Sequence, residues 1–180
     1  MNQNSARTAI KRVKPSAPLK FILETFGDSI KDRTILDYGC GHGYDVKYLC
    51  ENGFNAYGWD PYNSDNDFPD NTFDIVLLTY VLNTIETDDD IKCTLQSAWN
   101  KVTDKGMLII TGRRAKEVLR AAKKGHWKVV NHGGFLTNSG SFQGIISNDV
   151  KYHILNLPLI SSYDIVSKSF IMYIARKGWQ

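Results

Sequence analysis

No stretch of the 180 residues approaches the roughly 18 consecutive apolar positions that a membrane-spanning helix needs, and the first residues are polar and basic with no apolar segment behind them. The expectation is a protein with neither membrane span nor secretory leader. Cysteine is sparse: Cys40, Cys50 and Cys93 are odd in number and not spaced as metal-ligating pairs. They point to a reducing cytoplasm and argue against a disulfide framework and a bound metal. Basic residues are absent from Asp60 to Asp90, which carries acids only. What remains, 42% hydrophobic and 12% aromatic, is enough for one domain with a substantial core.

The stretch Thr34 to Tyr44 organises the rest. Thr34–Tyr38 is a short, mostly apolar run, as a buried strand should be, and Gly39, Gly41 and Gly43 follow before a helical pattern opens at Tyr44. Alternating glycines allow positive φ and let a ligand lie against the main chain. A dinucleotide fingerprint would need its third glycine at position 44, which is Tyr44. Asp37 at the strand end would also repel the pyrophosphate that a helix N-terminus attracts. A cofactor with an amino group and no phosphate would welcome it, and S-adenosylmethionine (SAM) has both a sulfonium and an α-ammonium. About 20 residues on, Phe54–Trp59 alternates like a strand and ends at Asp60, where an acid can accept from both ribose hydroxyls.

With these residues in view, Asp37-Tyr38-Gly39-Cys40-Gly41-His42-Gly43, Asp60 and Phe73–Leu78 resemble the first motif, the second-strand acid and the fourth strand of class I SAM-dependent methyltransferases. The resemblance spans roughly residues 30–112 and, more weakly, the last strands. It implies a Rossmann-like α/β fold, a doubly wound and mostly parallel sheet with an antiparallel last strand, and SAM as cofactor with S-adenosylhomocysteine as product. A narrower resemblance rests on Arg7-Thr8-Ala9-Ile10, Pro15–Leu19, Leu36–Gly41, Gly58–Tyr62, Tyr80–Asn83 and Gly140–Gln143. These are similar to the methyltransferases associated with DNA phosphorothioation, which implies a DNA-modification or defence setting.

Along the chain, residues 1–14 lack hydrophobic periodicity and read as a flexible basic arm, leaving 15–180 as one SAM-binding domain. Ser16 should cap a helix running to Ile30 and Gly53 should stop a helix from Tyr44 to Asn52. Only twelve residues, 61–72, separate the second strand from Phe73–Thr79. They cannot hold the helix, strand and helix usual there, so the third strand is expected to be missing or vestigial and the sheet to have six strands, ordered 2-1-4-5-7-6 in family numbering. Asp88–Val102 reads as a helix with Trp99 in the core, Met107–Thr111 as a strand, and 115–144 as a basic helix followed by a Gly- and Asn-rich loop. Ser147 should cap a short helix through Leu155, with Tyr163–Val166 and Ser169–Ala175 as closing strands.

The cofactor seat is expected to comprise Asp37, Tyr38, Gly39, Cys40, Gly41, Gly43, Asp60, Pro61, Tyr62, Thr79 and Tyr80. Asp65 or Asp67 could replace the acid that reads adenine, with Tyr62 or Phe68 against its ring. Tyr80 and Asn83, at the carboxyl end of the central strand, are candidates for orienting the nucleophile; the plain alternative for Asn83 is a helix cap. Arg7, Arg12, Arg113, Arg114, Phe142 and Gln143 are candidates for substrate, with Phe142 stacking on a base and Gln143 reading its edge. Cations at 1–20 and from Arg113 to Lys128 could form a basic face for DNA or RNA; a solvated helix and tail is the plain alternative. There is no Pro-Cys pair for attack on cytosine C5 and no Asn/Asp/Ser-Pro-Pro-Tyr/Phe motif for an exocyclic amine. Three functions stay open: methyl transfer to nucleic acid, methyl transfer to a small molecule, and SAM binding by an accessory or sensor protein.

Overall fold

The computed structural model describes residues 8–63, 67–130, 133–145 and 148–178. Arg7, Asp65 and Ser147, each named from the sequence, lie outside them. Helix α1 (Ala17–Ile30) starts where Ser16 Oγ accepts from Leu19 N at 3.2 Å, with Pro18 in the first turn where its missing N–H costs nothing. Strand β1 (Thr34–Tyr38) leads through the glycine turn into α2 (Tyr44–Glu51) and back along β2 (Asn55–Trp59). Strand β3 (Phe73–Thr79) follows, then a 3-10 turn (Leu82–Thr84), α3 (Asp88–Asn100), β4 (Val102–Arg113) and α4 (Ala115–Gly125). After three short strands, β5 (Lys128–Val130), β6 (Gly134–Leu136) and β7 (Phe142–Gly144), the chain closes with α5 (Asn148–Leu155), β8 (Leu159–Val166) and β9 (Phe170–Lys177).

The main sheet has six strands in the order β2-β1-β3-β4-β9-β8, parallel from β2 to β4, with β9 antiparallel to both β4 and β8. No strand occurs between β2 and β3 among the described residues, and the order is the one the short connection requires. Phe68, in that connection, packs its ring on Trp59 at 4.6 Å and Tyr38 at 5.8 Å between centroids. Lys101 Nζ lies over the same ring, 4.5 Å from its centroid.

Alternation along β3 divides the core. Val76 and Leu78 face α3 and α5 with Trp99, Leu108, Ile110, Val150 and Ile154, whereas Ile75 and Leu77 face α1 and α2 with Leu19, Ile22, Leu49, Ile109 and Met172. Burial on both faces explains why the central strands read as unbroken apolar runs. At the amino end of the sheet, Thr34 N and Oγ1 both donate to Asp74 Oδ2 at 2.9 Å, fixing the β1/β3 register.

Three expectations are corrected here. Val102 is the first residue of β4, not the last of α3, because the helix closes at Asn100 and Val102 pairs with Phe73. The closing strands extend beyond the residues expected, starting at Leu159 and ending at Lys177. The supposed loop after α4 is an antiparallel meander, β5-β6-β7, in which the Phe142 ring lies over Gly134 and Gly144; a Cβ at Gly134 would sit 2.2 Å from Phe142 Cε2. Its glycines mark close packing under an aromatic ring.

Candidate active site

The carboxyl ends of β1, β2 and β3 converge on a cavity of about 690 Å3, completed by the N-terminal segment, the end of β4 and the meander. Parallel sheets open such a crevice where the strand order reverses, here between β1 and β3. Its first wall is the glycine turn. Gly39, Gly41 and Gly43 all have positive φ, and a Cβ at Gly39 would lie 2.6 Å from Val81 Cγ2, so the turn is closed to any side chain there.

Asp37 lies at the floor, 4% exposed, with no partner for Oδ1 among the described residues. Burial, then the neighbouring charges of Asp45 and Asp60, push its carboxyl up to about 8, and Arg12 opposes them. A carboxylate kept from water and unpaired is costly unless a cation arrives. Asp45, in the first turn of α2, is also buried and accepts from Ser16 N at 2.9 Å. Asp60 Oδ2 accepts from Gly41 N, while Oδ1 accepts from Tyr62 N, Asn63 N and Asn63 Nδ2. Those four donors match the roughly four lone-pair sites of a carboxylate.

The N-terminal segment crosses the opening. Ala9 packs on the glycine turn, such that a Cβ at Gly41 would lie 3.3 Å from its methyl, and Tyr44 OH donates to Val13 O at 2.9 Å. The Arg12 guanidinium carbon stands 6.0 Å from the Tyr80 ring centroid. Tyr80 adopts φ 61°, a strained conformation for a side chain of its size, held by its N–H donating to Thr111 O at the end of β4. Burial pushes the Tyr80 phenol up to about 12, and burial followed by Asp37 and Asp60 does the same for the Cys40 thiol. Neither ionises near neutrality.

The opposite wall joins three residues singled out from sequence. Asn83 Nδ2 donates to Gln143 Oε1 at 3.4 Å and Arg113 Nη1 donates to the same oxygen at 3.3 Å. Asn83 and Gln143 are buried, and Asn83 belongs to the 3-10 turn, where no side-chain cap bond forms.

Asp37, Tyr38, Gly39, Cys40, Gly41, Asp60, Pro61, Tyr62, Thr79, Tyr80, Asn83, Arg12, Arg113 and Gln143 all line this cavity. Gly43 shapes the turn as the N-cap of α2. Four other candidates stand apart. Arg114 Nη1 donates to Ser167 O and lies within reach of Lys168 O, fastening the β8–β9 turn. Phe142 is buried in the meander, its ring spent on Gly134, and cannot stack on a base. Phe68 belongs to the Tyr38/Trp59 cluster, and Asp67 is exposed outside the cavity lining. Sequence reasoning missed Asp45, Glu117 and Thr137 as lining residues. Asp45 carried a signal, an acid one residue after the glycine turn closes into a helix.

Residues 10–136 match the family described as "Methyltransferase domain". No curated protein is a significant sequence relative of the chain. Among solved structures, a SAM-dependent methyltransferase from Clostridium acetobutylicum superposes with a TM-score of 0.63 at 14% identity, covering 98% of this chain and 96% of that one. A second from Archaeoglobus fulgidus gives 0.63 at 14% identity over 89% and 93%. The Burkholderia thailandensis 1,6-didemethyltoxoflavin-N1-methyltransferase, with its substrate and S-adenosylhomocysteine bound, gives 0.59 at 13% identity over 99% and 80%. By sequence this chain belongs to the methyltransferase-domain family, and its fold is that of the SAM-dependent methyltransferases.

Proposed function

We propose that this protein transfers a methyl group from SAM to a small-molecule acceptor bound in the same cavity. One observation carries the reading: the buried Asp37 carboxyl, with its Oδ1 unpartnered among the described residues, and the hydrogen-bonded set of Asn83, Gln143 and Arg113 line a single space of about 690 Å3. That volume falls within the roughly 300–1,000 Å3 that encloses a drug-sized ligand. The Burkholderia relative, whose substrate is a small molecule, supports the same choice.

The residues fit the cofactor. Asp37, once ionised, pairs with an α-ammonium, and the bare turn Gly39–Gly43 lets a ligand approach the main chain. Asp60 takes ribose hydroxyls by giving up its Asn63 Nδ2 donor. When bound, SAM supplies an electrophilic methyl: the acceptor's lone pair forms the new bond to carbon, the old bond's pair stays on sulfur, and the acceptor's proton passes to water. Asn83 has no basic site and Tyr80 remains a neutral phenol, so neither takes the proton; Tyr80 holds the nucleophile in line and Asn83 orients Gln143. Arg12 over Tyr80 and the bond from Tyr44 OH to Val13 O hold the N-terminal segment at the opening.

A second reading is transfer to nucleic acid. Lys116, Arg120, Lys123, Lys124 and Lys128 are exposed on and just after α4, whose Glu117 lines the cavity. The likeness to phosphorothioation-associated methyltransferases belongs with this reading. Incubation with methyl-labelled SAM and small-metabolite extract, DNA or RNA distinguishes the two. Label in small molecules with no salt-dependent polynucleotide binding supports the first; label in polynucleotide, weakening steeply with salt, supports the second. SAM binding with no acceptor labelled supports an accessory or sensor role.

A further inference from the structure

The hydrogen bonds of the acceptor wall fix its polarity. Arg113 carries donors and no acceptor, so the Gln143 atom facing its Nη1 is the carbonyl Oε1. That oxygen in turn requires the Asn83 atom facing it, 3.4 Å away, to be the donor Nδ2. One guanidinium therefore sets the orientation of two amides in series. Gln143 Oε1 is taken twice, and among the described residues nothing accepts from its Nε2. Asn83 is left with a buried, unpartnered Oδ1, a cost borne to hold Gln143 this way round.

We propose that the methyl acceptor is a carbonyl compound, an amide, lactam or carboxylic acid, whose carbonyl oxygen accepts from Gln143 Nε2 beside the atom methylated. This rests on the small-molecule reading above and names the substrate class for it. The wall also holds the Arg113 guanidinium and the hydroxyls of Thr137 and Ser141, which hydrogen-bond each other at 2.8 Å. Gln143 Nε2 is thus a donor with no acceptor among the described residues, and an oxygen with free lone pairs matches it. A compound with no acceptor oxygen beside the atom methylated would leave the Gln143 amide unpaired. Gln143 contacts substrate in this scheme, whereas Asn83 is a positioning residue.

2-Hydroxyacetophenone and phenol are suitable probes, sharing a ring hydroxyl and differing in the adjacent carbonyl, which brings no N–H donor with it. Their affinities are measured by calorimetry on the full chain, with and without saturating S-adenosylhomocysteine, for wild type, Gln143→Leu and Gln143→Glu. The expected result is a preference for 2-hydroxyacetophenone of about tenfold or more in wild type, lost in Gln143→Leu and reversed in Gln143→Glu, where a carboxylate oxygen would face the carbonyl. S-adenosylhomocysteine affinity should stay within about twofold in all three, which also reports that the variants are folded. Equal affinity of the two probes for wild type, or an unchanged preference in Gln143→Glu, overturns the proposal. If S-adenosylhomocysteine binds none of the proteins, the methyltransferase reading fails instead, and the probe preference measured without it still decides this inference.

Discussion

The backbone N–H of Gly41 donates to Asp60 Oδ2 at 2.9 Å, binding the tip of β2 to the turn that follows β1. Asp60 therefore shapes the glycine turn besides lining the cavity. Asp60→Ala removes an acceptor from four donors at once, and folding stability should fall by about 1–3 kcal/mol. Affinity for S-adenosylhomocysteine should drop by about tenfold or more, because the turn loses its brace. Urea titration and calorimetry check the two effects.

Gly39 and Gly43 share a left-handed backbone but not their surroundings. A Cβ at Gly39 would meet Val81 Cγ2 at 2.6 Å, whereas nothing lies within 4 Å of one at Gly43. Gly43→Ala should cost only the backbone strain, about 1 kcal/mol, and Gly39→Ala roughly 1–3 kcal/mol more, with loss of cofactor binding. Chemical denaturation of both variants gives the difference.

Asp37 makes stability depend on pH in the direction opposite to a salt-bridged carboxylate. Its folded carboxyl is pushed up to about 8 from an ordinary value of 3.8. Between these values the folded chain keeps a proton that the unfolded chain has released, so the site's contribution to stability falls as pH rises through that window and is constant above it. Asp37→Asn should raise the Tm at pH 8 and leave it nearly unchanged at pH 4. Equal shifts at both pH values would contradict the assignment.

Arg113 and Arg114 are neighbours with different tasks. Arg114→Ala frees the β8–β9 turn from its bond to Ser167 O, at a cost of about 1 kcal/mol, and should leave cofactor affinity and methyl transfer unchanged. Arg113→Ala should lower transfer at least about tenfold with little loss of cofactor affinity, since its Nη1 orients Gln143. Single-turnover assays on the two variants separate them.

The sheet was legible because its signals are local and redundant. Thr34–Tyr38 with its glycines, and the twelve residues too few for a third strand, fix the order of the central strands without tertiary information. The meander was not legible: β5, β6 and β7 have three residues each, too few to show alternation, and their glycines read as loop punctuation until the Phe142 ring is seen lying over Gly134. Within the cavity, Asp37, Asp60 and Tyr80 follow from their places at strand ends. Glu117 does not, because it is an ordinary helix residue in sequence and becomes a lining residue only through how α4 is docked. The Arg113–Gln143–Asn83 chain spans 60 positions between its two amides, a separation that no spacing argument reaches.

The most direct test is a calorimetric titration of wild type and Asp37→Asn with S-adenosylhomocysteine from pH 6 to 9. Ionised Asp37 should pair with the ligand's ammonium, so wild-type affinity should rise toward about tenfold per pH unit and level off near pH 8, while Asp37→Asn binds weakly at every pH. A wild-type protein that ignores the ligand at millimolar concentration, or an Asp37→Asn variant that binds it as tightly as wild type, would contradict the account.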